Sequence, residues 1–139
     1  MYRYLEHEAD VGIEGREKSI DGAFQEGAKA MFNLMAEIKN VEPVSPVKIF
    51  CSAKDIGSLF VEFLNELLAQ KDIHEMLFSK FEINIINSRG NLELLGKAYG
   101  EPMNKNKHEL KVEVKAATYS GLKVEQKNGE FIVRCVLDL

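Results

Sequence analysis

Leu122-Lys-Val-Glu-Gln-Lys127, Asn128-Gly129, Glu130-Phe-Ile-Val-Arg-Cys-Val-Leu-Asp138 is the stretch on which the fold turns. Asn-Gly supplies the positive-φ pair of a type I′ turn, so the flanking runs read as two arms of an antiparallel hairpin. Successive strand side chains point to opposite faces. Phe131, Val133, Cys135 and Leu137 therefore share one face, and Glu130, Ile132, Arg134, Val136 and Asp138 share the other.

Upstream, Glu109-Leu-Lys-Val-Glu-Val-Lys115 alternates as strictly and predicts a strand with Leu110, Val112 and Val114 inward and Lys111, Glu113 and Lys115 outward. Phe81-Glu-Ile-Asn-Ile-Ile86 and Leu92-Glu-Leu-Leu-Gly-Lys-Ala98 form a second hairpin about Arg89-Gly90-Asn91. Val47-Lys-Ile-Phe-Cys51 follows Pro43 and Pro46, which mark a strand start or an edge. Two short strands, residues 2–6 and 11–14, flank a turn holding Asp10. Elsewhere the period is helical. Ile20, Ala23, Phe24, Ala28, Met31, Phe32 and Met35, behind Ser19 as N-cap, predict a helix to about Ile38. Ile56, Leu59, Phe60, Phe63, Leu64, Leu67 and Leu68 predict another from Asp55. The expected fold is α+β: a single domain over residues 1–139, with two long amphipathic helices packed on a mixed, largely antiparallel β-sheet.

Composition narrows the function classes. At 139 residues, 45% hydrophobic and 29% charged, the chain reads as ordinary globular protein. No apolar run approaches the ~20 residues of a membrane span, and the first residues have no apolar signal region, so a cytoplasmic protein is expected. The net charge of -4 argues against broad, sequence-independent nucleic-acid binding. Cys51 and Cys135 lie in apolar strand-like runs without metal or redox spacing, which makes them reduced core residues.

Candidate chemistry is sparse. No GxGxxG, GxxxxGK[ST] or GxSxG is present, so phosphate loops and a nucleophile elbow are unmarked. By residue type alone, Asp10 is a turn aspartate capping its own backbone and Asp138 a solvated strand end. They become a site if the fold brings the chain ends together. Asp10, Asp138 and the terminal carboxylate of Leu139 would then converge, and a cation such as Ca²⁺ or Mg²⁺ would relieve their repulsion. Single histidines such as His7 and His108 are structural residues unless a second ligand joins them, and hard cations prefer carboxylates in any case. Lys105, Lys107, His108, Lys111 and Lys115 read either as a solvated face, with Glu109 and Glu113 interleaved, or as an anion- or RNA-facing patch.

His7-Glu8-Ala9-Asp10-Val11-Gly12 resembles the HTADVG signature of the archease family. Further blocks agree in order: Ala28-Lys-Ala-Met-Phe-Asn-Leu-Met35, Leu64-Asn-Glu-Leu-Leu68, Phe78-Ser-Lys-Phe-Glu82, Gly96-Lys-Ala-Tyr-Gly-Glu101, Glu113-Val-Lys-Ala-Ala-Thr-Tyr119 and the closing Val136-Leu-Asp-Leu139. The likeness covers essentially the whole chain. Glu8 departs from it by standing where threonine is usual, and Ser120 by standing where a histidine often sits. The resemblance implies a non-catalytic activator of a GTP-dependent, RtcB-type RNA ligase that acts in tRNA splicing and RNA repair. Such an activator promotes ligase guanylylation and multiple turnover, meets tRNA indirectly through the ligase and binds no membrane. The resemblance also implies Asp10, Asp138 and Leu139 as metal ligands, with Ca²⁺ the expected occupant and Mg²⁺ or Mn²⁺ as alternatives. Lys115 would be the activating residue, and His7, Glu8 and His108 are accessory candidates. The competing reading from another class is a metal-dependent phosphoester hydrolase or nucleic-acid modifying enzyme using the same carboxylates.

Overall fold

The computed structural model describes residues 1–5 and 10–139. His7 and Glu8 lie outside the described residues. In chain order the elements are β1 (Tyr2–Leu5), β2 (Asp10–Glu17), α1 (Ile20–Met35), a 3-10 turn (Ile38–Asn40), β3 (Ser45–Ala53), α2 (Ile56–His74), β4 (Met76–Ser88), β5 (Asn91–Pro102), β6 (Ala116–Ala117), β7 (Lys123–Lys127) and β8 (Glu130–Asp138). The α+β expectation holds. The strands divide into two sheets, one of order β1-β2-β8-β6 with β7 also on β8, and one of order β3-β5-β4. Every ladder among the described residues is antiparallel.

The hairpin at Asn128-Gly129 forms in the expected register, with both turn residues at positive φ. On β8, Val133, Cys135 and Leu137 join the core with Ile13 of β2. Helix α1 packs between β2 and β8 on one side and β4 on the other, while α2 lies on β3 and β5 and also touches β6. Phe24 meets Phe60 and Phe63 of α2 at centroid distances of 5.0 and 5.9 Å, and Phe32 meets Phe78 and Phe81 at 5.5 and 5.6 Å. Gly15 permits the close approach of β2 to α1: a Cβ there would strike the Ala23 carbonyl and lie 2.6 Å from the Gly27 nitrogen. No described helix is long and apolar enough to cross a membrane.

Both helices start where their caps predict. Ser19 Oγ accepts from Gly22 N–H at 3.0 Å, and Asp55 Oδ1 accepts from Ser58 N–H at 2.8 Å. Helix α1 stops at Met35 rather than near Ile38, because Ala36 turns extended and Asn33 Oδ1 accepts from Ile38 N–H at 3.1 Å. The larger departure is at residues 109–115. They form no strand beyond an isolated bridge between Ala36 and Leu110. Instead the segment crosses the end of α1, where Lys111 and Val112 N–H donate to the Met35 and Leu34 carbonyls at 2.8 and 3.2 Å. Val114 is buried as expected, but Leu110 and Val112 are 47% and 39% exposed. Alternation predicts burial only when a neighbouring strand and a covering layer exist, and here free helix carbonyls compete for the same N–H groups.

Candidate functional site

Asp10 opens β2 and Asp138 closes β8, and the antiparallel register places them as direct partners. Opposed residues of an antiparallel pair project from the same face with Cβ atoms ~5 Å apart. On its other side Asp138 pairs with Ala116 of β6, and the Lys115 N–H donates to the Asp138 carbonyl at 2.8 Å. Leu139 follows, half-buried against the core. The structure thus brings Asp10, Asp138, Leu139 and the Lys115 backbone to one corner of the five-stranded sheet. Asp10 is half-buried, while Asp138 and Lys115 are exposed.

Among the described residues no three His, Cys, Asp or Glu side chains cluster at metal-binding spacing. The corner offers two carboxylates, and a third donor must be a main-chain or terminal oxygen. That donor chemistry, all hard oxygen, fits Ca²⁺ or Mg²⁺ and does not fit a soft metal.

His108 sits elsewhere and is already engaged. It is 2% exposed; its Nδ1 accepts from Asn104 N–H at 3.0 Å, which leaves Nε2 to carry the proton and donate to Glu101 Oε2 at 2.9 Å. Burial alone would raise the Glu101 pKa, but the Glu42 N–H, Lys107 and His108 outweigh it and bring the carboxyl down to about 2. The group ties the 103–108 loop to β5. Lys107 is the ion partner of Glu101 there, at 2.9 Å, and Lys111 lies 4.0 Å from Glu37, so the basic residues of this region are dispersed among carboxylates.

A sequence profile of the Archease protein family matches residues 2–139. The chain belongs to the archease family. It is 37% identical to the protein archease of Sulfurisphaera tokodaii over 138 residues, covering 99% of this chain and 98% of that one. To the protein archease of Pyrococcus furiosus it is 36% identical, with 100% and 99% covered. Among solved structures, protein 1598 of Methanobacterium thermoautotrophicum superposes with a TM-score of 0.88 at 31% identity, covering 99% and 98% of the two chains. An archease of Thermotoga maritima, described as a possible chaperone, has the same fold, with a TM-score of 0.60 at 18% identity and 100% and 98% covered.

One residue that holds this archease corner in place was not singled out by its type. Asn65 of α2 donates from Nδ2 to the Ala117 carbonyl at 3.1 Å and accepts at Oδ1 from the Ala117 N–H at 2.8 Å. The amide stands in for a neighbouring strand and pins β6 against α2, two residues from Lys115. The available signal was an amide beside the apolar stripe of α2, inside Leu64-Asn-Glu-Leu-Leu68. Tyr4 acts similarly at the other edge, its hydroxyl donating to the Ala30 carbonyl at 2.9 Å and fastening β1 to α1.

Proposed function

We propose that this archease-family chain is a non-catalytic activator of a GTP-dependent RNA ligase of the RtcB kind, promoting ligase guanylylation and multiple turnover and reaching tRNA indirectly, through the ligase. A divalent cation, Ca²⁺ first and Mg²⁺ or Mn²⁺ as alternatives, is held by Asp10, Asp138 and an oxygen of Leu139. The observation that supports the reading is the direct opposition of Asp10 and Asp138 across β2 and β8. Like charges in that position destabilise a sheet. A hard cation turns the same pair into ligands. When bound, the cation supplies positive charge able to hold partner phosphate or carboxylate oxygens. Lys115, exposed and tied through its backbone to Asp138, adds an ammonium that suits a phosphate. The description of the Thermotoga maritima relative as a possible chaperone agrees with a helper rather than a catalyst.

The test is ligase guanylylation by GTP with and without this protein across Ca²⁺, Mg²⁺ and Mn²⁺. Asp10→Ala and Asp138→Ala are expected to abolish stimulation while the domain stays folded. Full stimulation by both variants refutes the site, and turnover of phosphoester substrates by the purified protein alone refutes the non-catalytic assignment.

A further inference from the structure

On the outer face of the five-stranded sheet, arginines and carboxylates answer one another within the chain: Glu14 accepts from Arg3 Nε at 2.7 Å and from Arg134 Nε at 2.6 Å, and Lys123 lies 3.4 Å from Glu125. The segment Glu109-Leu-Lys-Val-Glu-Val-Lys115 is different. Its four charged side chains are exposed. Lys111 reaches Glu37 only at 4.0 Å, and no ion pair engages Glu109 or Glu113 among the described residues. Leu110 and Val112, also exposed, border an open groove of about 300 Å³ lined by Met35, Leu77 and Met103.

The backbone of this segment is satisfied along one edge. The antiparallel bridge between Leu110 and Ala36 is closed by the Lys111 N–H on the Met35 carbonyl at 2.8 Å, and the Lys115 N–H donates to the Asp138 carbonyl at 2.8 Å. Successive N–H groups of an extended chain point to opposite edges, so Leu110 and Val114 turn theirs away from the protein. Among the described residues neither N–H meets a backbone acceptor. Val112 N–H reaches back to the Leu34 carbonyl at 3.2 Å, the longest of the three bonds. Strand-like alternation, an open backbone edge and exposed apolar side chains together make a template for another extended chain.

We infer that residues 109–115 pair antiparallel with the same residues of a second copy of this chain, about a two-fold axis at Val112. The charges select that occupant. In this register Glu109 opposes Lys115 of the second copy and Lys111 opposes Glu113 of the second copy, and the two-fold repeats each relation. All four charged side chains of each copy meet the opposite sign, while Leu110 faces Val114 and Val112 faces its own counterpart. An axis one residue away, at Lys111 or at Glu113, sets like charges against each other. Seven residues a side are few beside the ~20–30 of a standard interface, so the dimer is weak and forms at high concentration. It rests on neither the cation corner nor the ligase reading.

The experiment is sedimentation equilibrium of the full chain in EDTA at low salt, from about 10 μM to about 1 mM to suit a weak interface. The parent is expected to show a reversible monomer–dimer equilibrium that weakens as salt rises. Lys111→Glu and Glu113→Lys, each verified as folded by an unchanged melting curve, replace two attractive cross-strand pairs with two like-charged ones and should dimerise about tenfold or more weakly. General charge repulsion predicts the opposite for Glu113→Lys, which brings the net charge of -4 closer to zero. An equimolar mixture of the two variants sets opposite signs together again and should recover the association of the parent. A parent that stays monomeric throughout the range, variants that dimerise as the parent does, or a mixture that associates no more tightly than its components would each overturn the assignment.

Discussion

Replacing Asp138 by asparagine separates the charge of the corner from its shape. Asp138 faces Asp10 directly across β2 and β8. With Cβ atoms ~5 Å apart and both carboxylates at least partly in water, the repulsion between them is about 0.5–1.5 kcal/mol, from Coulomb's law with an effective dielectric between that of water and half of it. Asp138→Asn keeps the size and removes one charge. In EDTA at low salt the variant should therefore be the more stable protein, melting about 2–5 °C above the parent for a chain of this length. Excess Ca²⁺ reverses the order. A ligand at 100 times its Kd adds about 2.7 kcal/mol to the folded state that binds it, and the variant has lost one of the proposed ligands. Differential scanning calorimetry of both proteins, in EDTA and in Ca²⁺, checks the crossing. A parent that melts at one temperature in both buffers, together with a variant that melts with it, refutes the cation argument and the repulsion argument at once.

Three further outcomes follow from other parts of the molecule. Asn65→Ala should cost about 1–3 kcal/mol by leaving the Ala117 N–H without its partner, measured by urea unfolding, and should weaken ligase stimulation more than it weakens Ca²⁺ binding. Glu101 has a folded pKa brought down to about 2 from an ordinary 4.5, so the stability it contributes is complete above about 4.5 and is lost as pH falls toward 2. Urea midpoints between pH 5 and 2 should show that loss in the parent and a flatter profile in Glu101→Gln. Burial holds the thiols of Cys51 and Cys135 up at about 12, so native protein at pH 8 should resist iodoacetamide until it is unfolded, as read by mass spectrometry.

The sequence was legible where a local rule and the tertiary environment agree. Asn128-Gly129 demands a tight turn, Ser19 and Asp55 start helices, and the apolar faces of β8 and α2 match a covering layer, so each of these elements appears as read. Residues 109–115 failed because alternation reports a preference for burial without naming the partner. Leu110 and Val112 obey the pattern yet cross a helix end. The division into two sheets was also invisible, since it depends on which strands α1 and α2 separate, a long-range choice that no single run encodes. For the corner, the residue types of Asp10 and Asp138 predicted only a turn and a solvated end. Their opposition is a matter of register, and it became expected only through likeness across the whole chain. Asn65 shows the limit from the other side, because its importance lies in an Ala117 backbone 52 residues away.

An unfavourable pair of carboxylates persists only if the surroundings leave it no alternative. Sliding β8 by one residue along β2 would separate Asp138 from Asp10, but it would also turn Val133, Cys135 and Leu137 out of the core and Ile132, Arg134 and Val136 into it. The register is fixed again at the far end by the Asn128-Gly129 turn, and in the middle by the Arg3–Glu14–Arg134 tie. Gly15 against α1 sets the position of β2, and Asn65 sets that of β6 beside Lys115. Each constraint is stabilised by contacts that have nothing to do with the corner. The fold therefore holds two like charges together using energy drawn from its core, and a rigid, preformed acidic pair of this kind is what a protein needs if it is to offer a cation to a partner without first reorganising itself.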